Sequence, residues 1–299
     1  MQFHMNGASR RLLPPNQRKR RIQLNDAQLT LGPGAPVSVQ RVPVNGRELQ
    51  LYRAGSGHPT VILETGLGAE SDEWNTIQRS ISATTLVCRY DRAGRGRSDA
   101  APESARSAGQ MVEELRALLN TARVPGPYVL VGHSFGGLLV RLYAHRYPVE
   151  VCGLVLVDAM HADQFEVIGR ALPAPAAQDS EALRSFRAFW TGGWRNPKAT
   201  VERIDFVTSL REAREIDSLG ALPVHIITAA TGLKSAMVPE RLRPPLQSLW
   251  QDLQLQFLDL STSATHSFAL NSGHFVQRDD PATVIESIEA LLARLPARG

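Results

Sequence analysis

Short apolar runs and longer stretches of helical period alternate along most of this chain. Runs at 37–44 and 47–53 flank Asn45-Gly46, a dipeptide that tolerates two positive-φ positions and so predicts an opening β-hairpin. The β-branched run Thr60–Glu64 follows Gly55-Ser56-Gly57, and another strand is predicted at 86–90. Between 110 and 122, Met111, Leu115, Leu118 and Leu119 recur at helical spacing, which predicts one buried stripe. An apolar run at 128–131 leads into a predicted helix at 136–146, and 153–157 is apolar again. Later strands are predicted at 224–228 and 267–270. The last helix is marked by Asp280 as N-cap, Pro281 at its first position, and Val284, Ile285, Ile288 and Leu291 as its stripe.

Strands and helices alternating at these lengths mean βαβ units: an α/β fold with a mostly parallel sheet and helices on both faces. The alternation stops between 159 and 222. That stretch carries Pro173, Pro175, Phe186, Phe189, Trp190 and Trp194, and is predicted as a helical, aromatic-rich insertion at the carboxyl ends of the strands, where lids and substrate pockets are built. The expected organisation is a tail at 1–36, a core formed by 37–158 and 223–299, and a lid or cap at 159–222.

At 299 residues and 43% apolar content the chain can bury a large core, which excludes wholesale disorder. No apolar run approaches the roughly 18 residues of a membrane span. Two cysteines, Cys88 and Cys152, exclude a disulfide scaffold or a cysteine-based zinc framework, and both are expected to be buried small hydrophobes. The net charge of +4 belongs to the tail: Arg10, Arg11, Arg18, Lys19, Arg20 and Arg21 all precede the first acidic residue, Asp26. The rest is slightly acidic, so no specific nucleic-acid binding is expected. The tail lacks an apolar h-region and is not read as a secretory signal. It is expected to be a solvated arm, a weak polyanion or membrane-surface contact being the alternative, on a cytoplasmic protein.

The sharpest chemical signal is Gly132-His133-Ser134-Phe135-Gly136-Gly137, directly after one predicted strand and opening a helix. This is G-x-S-x-G in its strand–turn–helix context: a tight turn lifts the serine hydroxyl from the sheet, and flanking glycines pack where a Cβ would clash. A nucleophilic serine needs a base. His4 lies in the tail, His133 adjoins the serine, and His58, His145, His161, His225 and His266 have no evident chemistry around them. His274, in Asn271-Ser272-Gly273-His274-Phe275 just before the capped last helix, falls on a loop at the same sheet edge as Ser134 and is the expected general base. The backbone N–H of Phe135, the residue after the nucleophile, is one expected oxyanion donor.

With Thr65-Gly66-Leu67-Gly68, the glycine-rich stretch 90–98, the serine turn and the Ser272-Gly273-His274 loop, residues 40–295 resemble the α/β-hydrolase superfamily, in its serine esterase-like branch. The resemblance implies the α/β-hydrolase fold with a helical lid, and a chain order of nucleophile, acid, histidine. Its usual acid position, shortly after the strand at 224–228, holds no carboxylate before Glu240. Some members instead place the acid at the end of the preceding strand, which points to Asp158, with Asp163 and Glu240 in reserve. The second oxyanion donor implied is the N–H of Leu67, where Thr65 stands in place of a common histidine. Trp74 close behind is expected in the core or on the pocket wall, and the stretch 90–98 is expected to be a tight surface loop. A serine nucleophile disfavours the dehalogenase and epoxide-hydrolase branches. The expected function is cleavage of carboxylic esters of small molecules by a monomer or homodimer, with no metal or other cofactor. Lactone, amide and carbon–carbon bond hydrolysis share the constellation, and a non-catalytic binding protein remains the alternative of a different class.

Overall fold

The computed structural model describes residues 34–231 and 238–295. The predicted hairpin is present as β1 (Ser38–Val44) and β2 (Arg47–Ala54), with Asn45 and Gly46 at φ 48° and 78°, as the two-residue turn demands. There follow β3 (Thr60–Glu64), α1 (Asn75–Ile81), β4 (Val87–Tyr90) and α2 (Ala108–Thr121). Ser107 and Gln110 form a reciprocal capping box at the start of α2. Next come β5 (Tyr128–His133), α3 (Phe135–Arg146) and β6 (Val151–Val157). Three helices, α4 (Gln164–Ala171), α5 (Glu181–Thr191) and α6 (Phe206–Arg214), separate β6 from β7 (Val224–Ala229). The chain continues through α7 (Arg243–Leu255), β8 (Ala264–Ala269), a short α8 (Val276–Asp279) and α9 (Pro281–Arg294), whose Asp280 cap accepts from Thr283 N–H.

The strands form one sheet in the order β1-β2-β4-β3-β5-β6-β7-β8, parallel from β4 through β8 and antiparallel on both sides of β2. Alternate residues of the central strands face opposite ways and feed two cores. Ile62, Leu130, Leu154 and Ile226 belong to one, and Val61, Val129, Val155 and Ile227 to the other. A sheet buried on both faces needs apolar residues at every position, which is why β5 and β6 read as continuous apolar runs. Helices α2 and α3 cover the first face, and α1 and α9 the second.

Two expectations change here. The stretch 90–98 is a surface turn only in its second half: Tyr90, Asp91, Arg92 and Ala93 are buried, and the tight turn with positive φ at Gly94 and Gly96 lies at the surface. Cys88 is buried as expected, but Cys152 is only partly so. The aromatic residues of α4–α6 and the turn after α5 are buried and continuous with the core on the first face of the sheet. Phe165 stacks on Trp194 at 4.9 Å and 8° and packs against Trp190 and Phe206, and Phe206 meets Phe135 edge-on. Trp74 is fully buried under the sheet with Ile77 and Ile81. The tail at 1–33 lies outside the described residues, among which no helix is long and apolar enough to cross a membrane.

Candidate active site

Strand register brings the chemistry together. In the β5–β6 ladder His133 pairs with Val157, so Ser134 and Asp158 leave the carboxyl ends of adjacent strands at one level. Both have positive φ, 52° and 43°, although neither is glycine. Such backbone is strained and persists only where its surroundings over-determine it. For Ser134 they do: its N–H donates to Val157 O (3.1 Å), and its carbonyl accepts from Gly137 N–H (3.0 Å) and Met160 N–H (2.8 Å). The glycines beside it have no room for a side chain. A Cβ on Gly136 would lie 2.5 Å from Thr65 O, and one on Gly132 would lie 2.5 Å from Gly136 O.

His274, after β8, lies between the two. Its Nε2 is 3.0 Å from Ser134 Oγ, and its Nδ1 is 2.6 Å from Asp158 Oδ2. The Asp158 carboxylate is completely buried. Its other oxygen, Oδ1, accepts from Ala229 N–H at 3.0 Å and from Trp250 Nε1–H at 2.9 Å. The carboxylate thus sits among three N–H groups, of the Ala229 backbone, the Trp250 indole and the His274 ring. An imidazole held this way carries its proton on Nδ1 and offers the Nε2 lone pair to the serine hydroxyl. That arrangement can accept a proton from Ser134 as it attacks a carbonyl carbon.

Of the two reserve acids, Asp163 pairs with Arg214 and Glu240 is exposed beside Arg243; neither is bonded to His274. His133 is fully buried with its ring 4.7 Å from that of His274, and its Nε2–H donates to the His274 carbonyl at 2.8 Å. Burial, followed by the nearby His274, holds His133 well below the usual histidine pKa. Phe135 N–H opens α3 and has no intrahelical acceptor, and Leu67 N–H likewise bonds no backbone acceptor among the described residues. The described residues contain no group of three or more His, Cys, Asp or Glu able to hold a metal ion.

Sequence reasoning missed α7 and with it Trp250. The signal was present in Leu246, Trp250, Leu253 and Phe257, spaced four, three and four apart, all buried. One turn further on, Gln254 bonds both the N–H and the carbonyl of Ala159, fastening the backbone next to Asp158.

A sequence-family profile described as the alpha/beta hydrolase fold matches residues 59–214, just over half of the chain. Among relatives, the uncharacterized protein YqjL of Bacillus subtilis (strain 168) is 28% identical over 236 residues, covering 78% of this chain and 83% of that protein. Among solved structures, the 2-hydroxy-6-oxo-6-phenylhexa-2,4-dienoate hydrolase of Rhodococcus sp. strain RHA1 is similar with a TM-score of 0.62 at 16% identity, covering 87% of this chain and 99% of that one. A thermophilic esterase from Thermogutta terrifontis is similar with a TM-score of 0.60 at 17% identity, covering 86% and 98%. The chain belongs to the α/β-hydrolase superfamily.

Proposed function

We propose that this protein is a serine hydrolase that cleaves carboxylic esters through an acyl-enzyme on Ser134. The observation that carries the reading is the line of hydrogen bonds from buried Asp158 through His274 to Ser134, at 2.6 and 3.0 Å, ending on a strained strand-to-helix turn. His274 takes the Ser134 proton as the hydroxyl attacks the ester carbonyl, and returns it to the departing alkoxide. Asp158 holds the ring in the required tautomer and stabilises the imidazolium. The N–H groups of Phe135 and Leu67 receive the tetrahedral oxyanion. Water activated by His274 then releases the acid and restores the serine. The helices at 159–222 would act as a cap that shapes the acyl pocket.

The test is hydrolysis of p-nitrophenyl esters from acetyl to long acyl chains, by the wild type and by Ser134→Ala. Turnover that disappears with Ser134 supports the reading, and the chain-length optimum sizes the pocket. If no ester is cleaved while a fluorophosphonate still labels Ser134, the ester assignment is wrong and lactones, amides and carbon–carbon substrates replace it. If the folded protein is not labelled either, the hydrolytic reading falls.

A further inference from the structure

The glycine-rich stretch after β4 buries a charge that the mechanism above does not use. Arg92 is 1% exposed and lies between two buried carboxylates, Glu64 at the end of β3 and Glu202 from the segment before α6. Its Nη1 is 2.6 Å from Glu64 Oε1, and its Nη2 and Nε hold both Glu202 oxygens at 2.7 and 2.8 Å. Tyr90 O–H donates to the remaining Glu64 oxygen at 2.5 Å. Burial raises the Glu64 pKa despite Arg92. For Glu202 burial pushes the same way, but the Arg92 charge and the added hydrogen bonds outweigh it, and its pKa is lowered. A buried fork-and-carboxylate cluster of this kind is costly to desolvate, so what it holds in place matters.

It holds the loop that carries Leu67. Arg92 Nη1–H donates to the carbonyl and hydroxyl of Thr65, both at 2.8 Å, and Nη2–H to the Gly66 carbonyl at 2.7 Å. Glu202 Oε1 accepts from Gly68 N–H at 2.6 Å, and Arg95 donates to the Gly68 carbonyl at 2.5 Å. The Gly66 carbonyl and the Leu67 N–H belong to one planar trans peptide, so anchoring the oxygen fixes the direction of the N–H on the opposite side. A guanidinium on that carbonyl also polarises the peptide and strengthens its N–H as a donor.

We propose that Arg92 and Glu202 are positioning residues for the oxyanion hole: Arg92 aims the Leu67 N–H, and Glu202 ties that aim to the segment joining α5 and α6. The inference rests on the serine-hydrolase reading of Ser134 and on Leu67 as an oxyanion donor. It makes the inserted segment part of the machinery that stabilises the transition state, beyond any part it plays in enclosing substrate. The same segment is laced to the core next door, where Arg106 and Ile204 form a parallel bridge and Asp205 N–H donates to Arg106 O.

The test compares Arg92→Lys, Glu202→Gln and Glu202→Asp, with active sites counted by fluorophosphonate labelling and kcat and KM measured separately on p-nitrophenyl acetate. Lysine keeps the charge but loses the fork, so it cannot serve Glu64, Glu202 and two carbonyls together. Losing a whole oxyanion donor costs about 10²–10³ in kcat, and misaiming one is expected to cost roughly 10–100-fold. The expected result is that fall in kcat per labelled site for Arg92→Lys and Glu202→Gln, with KM little changed, partial recovery in Glu202→Asp, and weaker binding of a trifluoromethyl ketone in step with kcat/KM. Variants that lose thermal stability but keep kcat per site within about twofold would overturn the proposal and leave the cluster a purely structural one. If the wild type neither turns over nor labels, the hydrolase reading has failed instead. Amide spectra then decide the positioning claim alone: unmoved Leu67 and Gly68 resonances in Glu202→Gln, the mildest change, would refute it.

Discussion

Replacing Asp158 by Asn tests the proposed mechanism at its least obvious member, and the structure determines which way the new amide must point. Oδ1 accepts from two donors, Ala229 N–H and Trp250 Nε1–H, whereas Oδ2 accepts from one, His274 Nδ1–H. The asparagine oxygen will take the Oδ1 place. The reverse orientation would point an NH2 group at two buried donors, at about 1–3 kcal/mol for each donor left unsatisfied. A difference of ~2–6 kcal/mol leaves fewer than about one molecule in thirty in the reversed orientation. The amide NH2 then donates to His274 Nδ1, which forces the ring proton onto Nε2, where it faces Ser134 and cannot receive the serine proton. The ground state keeps its packing, so the fold should survive while kcat on a p-nitrophenyl ester falls by about 10⁴, equivalent to ~5.5 kcal/mol in the barrier. Circular dichroism and thermal melting check the fold, and stopped-flow labelling by a fluorophosphonate checks serine reactivity. A variant within tenfold of wild type, with Asp163→Asn or Glu240→Gln inactive instead, would refute the assignment.

Three further outcomes are expected. Trp250→Phe keeps the ring beside His274 but deletes one of the two donors to Asp158 Oδ1, and should lower kcat about tenfold, the worth of one hydrogen bond to a charged group; an unchanged rate would show that Ala229 N–H suffices alone. His161 is pushed down to about 4 by burial first and by the Arg141 charge second, and its Nδ1 accepts from Asp163 N–H at 3.1 Å. The unfolded chain therefore takes up a proton near pH 6.5 that the folded chain refuses until about pH 4, so stability is full above 6.5 and falls by about 3 kcal/mol on acidification through that window. Melting temperatures of wild type and His161→Asn between pH 7 and 4.5 should show a visibly flatter slope for the variant. Gly136→Ala would drive a methyl into the backbone oxygens of Glu64 and Thr65, 2.6 and 2.5 Å away, and should cost about 1–3 kcal/mol or more, read as a melting temperature several degrees lower and a weaker yield of folded protein.

What could be read from the chain alone was whatever local chemistry determines by itself. Asn45-Gly46 makes its own turn, Asp280-Pro281 starts its own helix, and the glycines around Ser134 mark a backbone that only a strand-to-helix elbow uses. The continuous apolar runs of β5 and β6 already implied a sheet covered on both faces. His274 was legible because its loop follows the last strand and precedes a well-marked helix. Asp158 could be named only as one choice among three carboxylates, because its part depends on β6 lying between β5 and β7. The tertiary structure alone decided the remainder. Trp250 meets Asp158 across 92 residues, and Glu202 meets Arg92 across 110 and Gly68 across 134. Contacts at such separations leave no period in the sequence. A charged run such as Asp91-Arg92 looks like a solvated turn until the fold supplies the two carboxylates and the carbonyls that make its burial tolerable. Local backbone preference wrote the elements and the serine turn into the sequence; the partners that hold Asp158 and the candidate oxyanion loop exist only where distant segments converge and desolvated charges must find one another.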